Sequence, residues 1–430
     1  MIFRTAIFLL TALLALPAFC GVRIDHWVTS AGARVYYVDS QALPILDVQI
    51  DFAAGAMFDP PGKSGLAGLT RSVLELGAGR LDENAIADRL ADVGARLGGG
   101  ADSDRASVSL RTLAESEKQE AALQILRSIL QTPRFDAAVF EREKTRSIAG
   151  LKEALTRPQG LASRAFWQAM YPGHPYGRQA TPESLDALKL ADARAFWQRY
   201  YVARNASITI VGKISRTEAE KLAEKLMAGL PAGSVPELPA LPTRPAGSIQ
   251  KIVHPASQSH IHIGMPAIER GHPDYFPLFV GNYSLGGGGF VSRLMKEVRD
   301  KRGFAYSVYS YFAPLKQAGP FQIGLQTKRA QAGEALAVAR ALLEEFIRSG
   351  PTEEELAAAK ANLTGSFPLR IDSNQKILEN VANIGFYGLP LDYLDTYQQK
   401  VSAVTAEQVR QAFVRHVSPE HLVTVMVAAD

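Results

Sequence analysis

The chain repeats itself, and that repetition constrains its fold more than any other feature. Sliding the second half back until Ile323 falls on Val108 lays Ile323-Gly324-Leu325-Gln326-Thr327 over Val108-Ser109-Leu110-Arg111-Thr112, both alternating as half-buried strands. The same shift puts Gly365 on Gly150, each near the end of a charged helical stretch that begins around Thr352 or Asp136. It also lays residues 421–426 over residues 206–211. Three coincidences at one offset describe a duplicated domain, so whatever one half builds the other builds too.

Between the copies, Pro231, Pro236, Pro239, Pro242 and Pro245 alternate with small residues, which excludes helix and central strand and makes a semi-rigid spacer. The division is therefore a first domain over 21–229, a linker over 230–247 and a second domain over 248–430. In the first copy, strands are predicted over 35–38, 46–52, 106–110 and 207–211. Helices are predicted over 66–76, 84–93, 117–130, 136–155, 161–170 and 182–201. Strands gathered early and helices late predict an α+β fold, each domain a mixed sheet with helices packed on one face. With 430 residues, 47% of them hydrophobic, the chain can bury a core in each.

The first 20 residues form a signal peptide rather than part of either copy. Arg4 precedes an apolar run from Ala6 to Leu16, and Pro17 leads into small Ala18 and Cys20. The run is too short to span a bilayer and Arg23 and Asp25 follow it, so a mature chain starting near Gly21, exported or periplasmic and without an integral membrane segment, is expected. Cys20 is the only cysteine, so disulfides do not hold the mature fold. Lipid modification of Cys20 is the minor alternative, disfavoured by bulky Phe19. A net charge of +4, interspersed as in Glu141-Arg142-Glu143-Lys144, argues against a nucleic-acid partner.

Single motifs name no activity. Gly286-Gly287-Gly288-Gly289 suggests a phosphate loop, but Phe290, Val291 and Ser292 follow where a Lys and a Ser or Thr are needed. A flexible connector between two helices is the expected role. His260 and His262 share one face of a strand without a third ligand, which makes a weak metal site and a better structural pair. No Gly-x-Ser-x-Gly elbow occurs, and the lone cysteine lies in the leader, so no nucleophile is evident.

Longer segments do carry a resemblance. GAMFDPPGKSGLAGLTRSVLELGA resembles the start of the pitrilysin, insulinase and mitochondrial processing peptidase family, where a similar Gly-Leu-Ala leads into an inverted zinc motif, His-x-x-Glu-His. Here those positions are Gly68, Leu69, Thr70, Arg71 and Ser72, with neither histidine nor the glutamate base. The family's third ligand, in the helix after a phrase similar to Phe140-Glu141-Arg142-Glu143-Lys144, falls on Gly150, while Glu153 one turn on is retained with no metal to support. LGGGGFVSRLMKEVRDKRGFAYSVYSYF resembles the family's glycine stretch, helix and strand, and its Arg and Tyr pair falls on Arg299 and Tyr306. HPYGRQATPESLDAL and YYVARNASITIVG are also similar to family segments, so the likeness spans the mature chain.

The resemblance implies the metallohydrolase fold shared with LuxS and the processing peptidases. It implies no metal and no cofactor on this chain, and no peptidase activity by the chain alone. It further implies a homologous zinc-bearing partner, peptide substrates, and Arg299 and Tyr306 acting in trans from a helix over 291–301, a turn at Gly303 and a strand through Tyr306. The contrasting expectation is a non-catalytic scaffold or peptide-binding member, as the family's respiratory-complex core subunits suggest. Arg302 lies one turn from Arg299 and competes for the arginine assignment.

Overall fold

The computed structural model describes residues 21–428, and the signal-peptide expectation lies outside them. The first sheet takes β1 (Asp25–Val28), β2 (Arg34–Asp39), β3 (Ile45–Phe52), β6 (Arg96–Ala101), β7 (Ala106–Leu113) and β8 (Ala206–Gly212), with β4 (Gly77–Ala78) and β5 (Leu81–Asp82) forming a small hairpin apart. The second takes β9 (Ser248–Ile252), β10 (Gln258–Ile268), β11 (Ala305–Phe312), β12 (Gly319–Lys328) and β13 (Val423–Val427). The orders are β1-β2-β8-β3-β7-β6 and β11-β12-β10-β13-β9. Read from opposite ends these agree over five strands, β1 being an extra edge strand of the first, and each has one parallel pair, β2 with β8 and β9 with β13, among antiparallel neighbours. The duplication is thus a duplication of topology.

Strand alternation decides what each sheet face meets. In β10, Ile261, Ile263 and Met265 enter the core of the second half, while His260, His262 and Gly264 turn to the other face. That other face receives a helix from the first half, α3 (Pro158–Met170), whose Phe166 ring stands 5.4 Å from the His262 imidazole. Reciprocally, α5 (Asn374–Tyr387) of the second half lies on β8, β3 and β2, where Arg34 Nη1 donates to the Gly385 carbonyl at 3.0 Å. Each sheet therefore carries its own helices on one face and a borrowed helix on the other. Glycines permit the close approach, since a Cβ on Gly264 would lie 2.9 Å from Phe166 and one on Gly385 2.5 Å from Tyr36.

A buried polar hub ties the seam. Asp104, 1% exposed in the turn between β6 and β7, accepts the Tyr176 hydroxyl on one oxygen; on the other it accepts the Tyr387 hydroxyl at 2.9 Å and the Lys316 N–H at 2.8 Å. The Tyr176 oxygen in turn accepts the Gln317 N–H at 3.2 Å, and the Gln317 amide reaches His174 at 2.7 Å and the Pro239 carbonyl at 2.6 Å. First half, linker and second half meet in this cluster. Residues 231–247 carry no helix or strand.

Besides β1, the β4–β5 hairpin and a helix over Arg216–Met227, which the expected set lacks, three further differences stand out. The helix expected over 182–201 is two, Pro182–Asp186 and Leu190–Tyr200. Strand β6 was not expected, because Gly98, Gly99 and Gly100 have no strand preference and are held extended by pairing with β7. The third lies at the candidate site.

Candidate functional site

The degenerate zinc positions lie on two packed helices. Helix α1 (Leu66–Leu74) starts where Asp59 accepts the N–H groups of Gly65 and Ala67, both at 2.7 Å, which supplies the cap that Gly65 lacks. Burial pushes the Asp59 carboxyl up to about 6, against the pull of those N–H groups. Leu66, Leu69, Val73 and Leu74 enter the core, which leaves Gly68 and Ser72 on the exposed side. Helix α2 (Ala137–Ala154) packs beside it with Gly150 also exposed.

These positions do not fit a zinc ion. A Cβ at Gly68 or Gly150 would meet open space, so no donor atom reaches out from either, and the Ser72 hydroxyl donates to the Gly68 carbonyl at 3.0 Å. Arg71, where the family has its glutamate base, is 3% exposed, and its guanidinium donates to the Gly98 carbonyl at 2.8 Å, the Ser107 carbonyl at 2.5 Å and Glu75 at 3.0 Å. A fixed cation there repels a metal and pins α1 to the β6–β7 hairpin. Glu153 pairs with Arg157 on the surface. Among the described residues these positions offer no ligand set that could hold a zinc-bound water.

The histidine pair is no substitute. His262 Nδ1 meets the Gln322 amide at 2.9 Å, and burial, with His260 beside it, lowers its pKa to about 4, so the ring packs neutral against α3. Among the described residues one group of three ligands comes together, His272, Asp274 and His416. Its carboxylate is already engaged by Arg415 at 2.9 and 3.0 Å and by His416 at 2.8 Å, an ion-pair network rather than an open ligand set.

The second half carries the Arg299 and Tyr306 positions. Helix α4 (Tyr275–Asn282) runs on through Gly287 as a wider turn, with Gly288 N–H bonding the Tyr283 carbonyl at 2.9 Å. The glycine run expected as a connector between helices is therefore largely helix, and it is tightly packed. A Cβ on Gly286 would lie 2.4 Å from the Ser310 hydroxyl, and Asn282 and Ser310 exchange bonds of 2.9 and 2.6 Å that bolt α4 to β11. Gly289, at φ 61, then turns the chain and sets Phe290 out at 66% exposure. The helix expected over 291–301 is a second wide turn, Met295–Asp300, closed by Lys301 N–H to the Lys296 carbonyl at 3.0 Å.

Arg299 leaves that turn with its guanidinium 4.7 Å from the Phe290 ring centre and 5.5 Å from that of Tyr306. Among the described residues its one acidic contact is Asp300 at 3.4 Å. Arg302 instead is tied to Glu297 at 2.6 Å, so the arginine stacked beside Tyr306 is Arg299. A register break between Ala305 and Val308 places Tyr306 and Ser307 both outward, and Tyr306 is 87% exposed. The structure thus brings Arg299 and Tyr306 together and adds Phe290, which the sequence marked only as breaking a phosphate loop.

Residues 34–182 match the family described as Insulinase (Peptidase family M16), and residues 187–363 that described as Peptidase M16 inactive domain. A protein of Helicobacter pylori described as a non-peptidase homolog is 27% identical over 429 residues, 98% of each chain. An uncharacterized zinc protease of Bacillus subtilis is 24% identical over 392 residues, 90% of this chain and 94% of its own. The crystal structure of a peptidase M16 inactive domain from Pseudomonas fluorescens matches with a TM-score of 0.91 at 36% identity, over 94% of this chain and 98% of that one. With its duplicated mixed sheets, its Arg299–Tyr306 pair and Gly68, Ser72 and Gly150 in place of ligands, the chain belongs to the insulinase (M16) peptidase family as a member without the zinc site.

Proposed function

We propose that this chain is the non-zinc subunit of an exported two-chain peptidase, facing a homologous zinc-bearing partner across a substrate chamber. The observation that carries it is Tyr306, an aromatic side chain held 87% exposed by a strand bulge, with Arg299 stacked on it. A side chain kept there adds nothing to a core, and with Phe290 and Arg299 beside it its ring and hydroxyl are open to a ligand. The partner's zinc would supply the activated water. Tyr306 donates its hydroxyl proton toward the oxyanion that develops on the scissile carbonyl, and Arg299 holds a neighbouring peptide carbonyl. Phe290 fixes the guanidinium by stacking.

Co-purification from the native host, with metal analysis of the complex and of this chain alone, tests the assembly. N-terminal sequencing tests export, with a start near Gly21 expected and an intact Met1 on cytoplasmic protein against it. Tyr306→Phe should leave the complex assembled and lower its kcat by about 10²–10³. A second reading, a non-catalytic scaffold, draws on the fold shared with a complex III assembly from Candida albicans, matched at a TM-score of 0.77 and 15% identity. Wild-type turnover by the Tyr306→Phe complex would favour it.

A further inference from the structure

Away from the Arg299 and Tyr306 strand, the N-terminal end of α4 walls a cavity of about 390 Å³, a size suited to a small ligand. Phe276, Leu389 and Tyr393 give it apolar walls, and Arg270 and Lys400 are its cations. Lys400 Nζ lies 5.8 Å from the Phe276 ring and 5.9 Å from that of Tyr393, and the Arg270 guanidinium 5.3 Å from the Tyr387 ring. Among the described residues neither cation has a carboxylate within ion-pair distance, although Arg415 near the same end of α4 is fully paired with Asp274. Arg270 Nε is in addition buried without a hydrogen-bond acceptor. Native folds rarely leave a charged donor in that condition unless something else supplies the acceptor.

We propose that this cavity binds the C-terminal carboxylate of a peptide that ends in an apolar residue. The carboxylate meets Arg270 and Lys400, and the last side chain lies among Phe276, Leu389 and Tyr393. The remaining polar lining suits a peptide backbone better than an alkyl chain. Gln408 offers an amide, and His272, whose Nδ1 accepts the Asp274 N–H at 3.0 Å, carries its proton on Nε2 and can donate to a carbonyl. The site has no reacting group, so it is a binding site only, and it does not depend on the partner, on Arg299 or on Tyr306.

Calorimetric titration of the full mature chain with N-acetyl-leucyl-phenylalanine, its C-terminal amide and 3-phenylpropionate tests it. Saturable binding of the peptide acid is expected, with the amide weaker by about tenfold or more. Arg270→Gln and Lys400→Gln should each weaken the acid by a similar factor and leave the amide unchanged. Lys400 lies on a surface helix, so its variant keeps the test decisive if Arg270→Gln does not fold. Equal affinity for acid and amide, no saturable binding, or an unchanged Lys400→Gln variant would overturn the proposal. So would 3-phenylpropionate binding as tightly as the peptide acid, because the cavity would then belong to small free carboxylic acids.

Discussion

Replacing Asp104 by alanine should loosen the seam between the two halves more than any other single polar substitution. The carboxylate accepts three buried donors, the hydroxyls of Tyr176 and Tyr387 and the N–H of Lys316. Each donor stranded without an acceptor costs roughly 1–3 kcal/mol. Against this, burial holds the Asp104 pKa above its ordinary value, so its removal recovers part of a desolvation cost. The net loss is then about 3–5 kcal/mol for Asp104→Ala and about 1–2 kcal/mol for Asp104→Asn, whose amide can still accept two of the donors. Urea unfolding measures the loss, and hydrogen exchange at Lys316 and Gln317 locates it. Those amides should lose protection in the alanine variant while the centre of β3 keeps its own. An Asp104→Ala protein within about 1 kcal/mol of wild type, with Lys316 still protected, would show that the seam is held by the borrowed helices alone.

Four further outcomes follow from the same structure. Tyr306→Phe in the assembled complex should lose about 10²–10³ in kcat with assembly unchanged, read by turnover alongside size-exclusion chromatography. Asp51 and Asp59 are each raised by burial from 3.8 to about 6, so the folded state holds protons that the unfolded state releases. Their contribution is fully present below about pH 4 and lost as pH rises through about 6, so each should make the chain more stable at pH 5 than at pH 8 by on the order of 1 kcal/mol; Asp51→Asn should remove its share of the difference between the two urea curves. Gly286→Ala drives a methyl into Ser310 and should cost about 1–3 kcal/mol, seen as a lowered urea midpoint. Restoring the motif with Gly68→His, Arg71→Glu, Ser72→His and Gly150→Glu should confer about one zinc per chain by elemental analysis, and a folded variant that takes up none would mean that α1 and α2 no longer hold ligand geometry.

The duplication was legible because strand alternation and helix length survive in each copy even where residues differ. That is why Val108 and Ile323 occupy matching places in β7 and β12. Strand β6 was not legible, since three glycines carry no preference and only pairing with β7 makes them extended. The wide turns around Gly286 and Met295 escaped for a similar reason: apolar spacing marks a helical face and does not register one extra residue per turn. Arg299 and Tyr306 were found through the family pattern, and the choice over Arg302 needed the ion pair with Glu297. Asp104 gave no signal, because an acid in an Asp-Ser-Asp-Arg turn reads as solvated until Tyr176, Lys316 and Tyr387 arrive from distant parts of the chain.

The exchange of α3 and α5 bears on how such a chain loses chemistry while keeping its shape. After a gene doubles, a copy that shelters its sibling's helix cannot be discarded, because the strand face beneath would be stripped bare. Selection for solubility then guards both copies equally. No such guard covers Gly68 and Gly150, where an added Cβ would meet open space, or the exposed Ser72, whose hydroxyl bonds only the Gly68 carbonyl. Substitutions at such positions cost almost nothing in stability, so ligands can be lost there one by one while the interlocked frame persists.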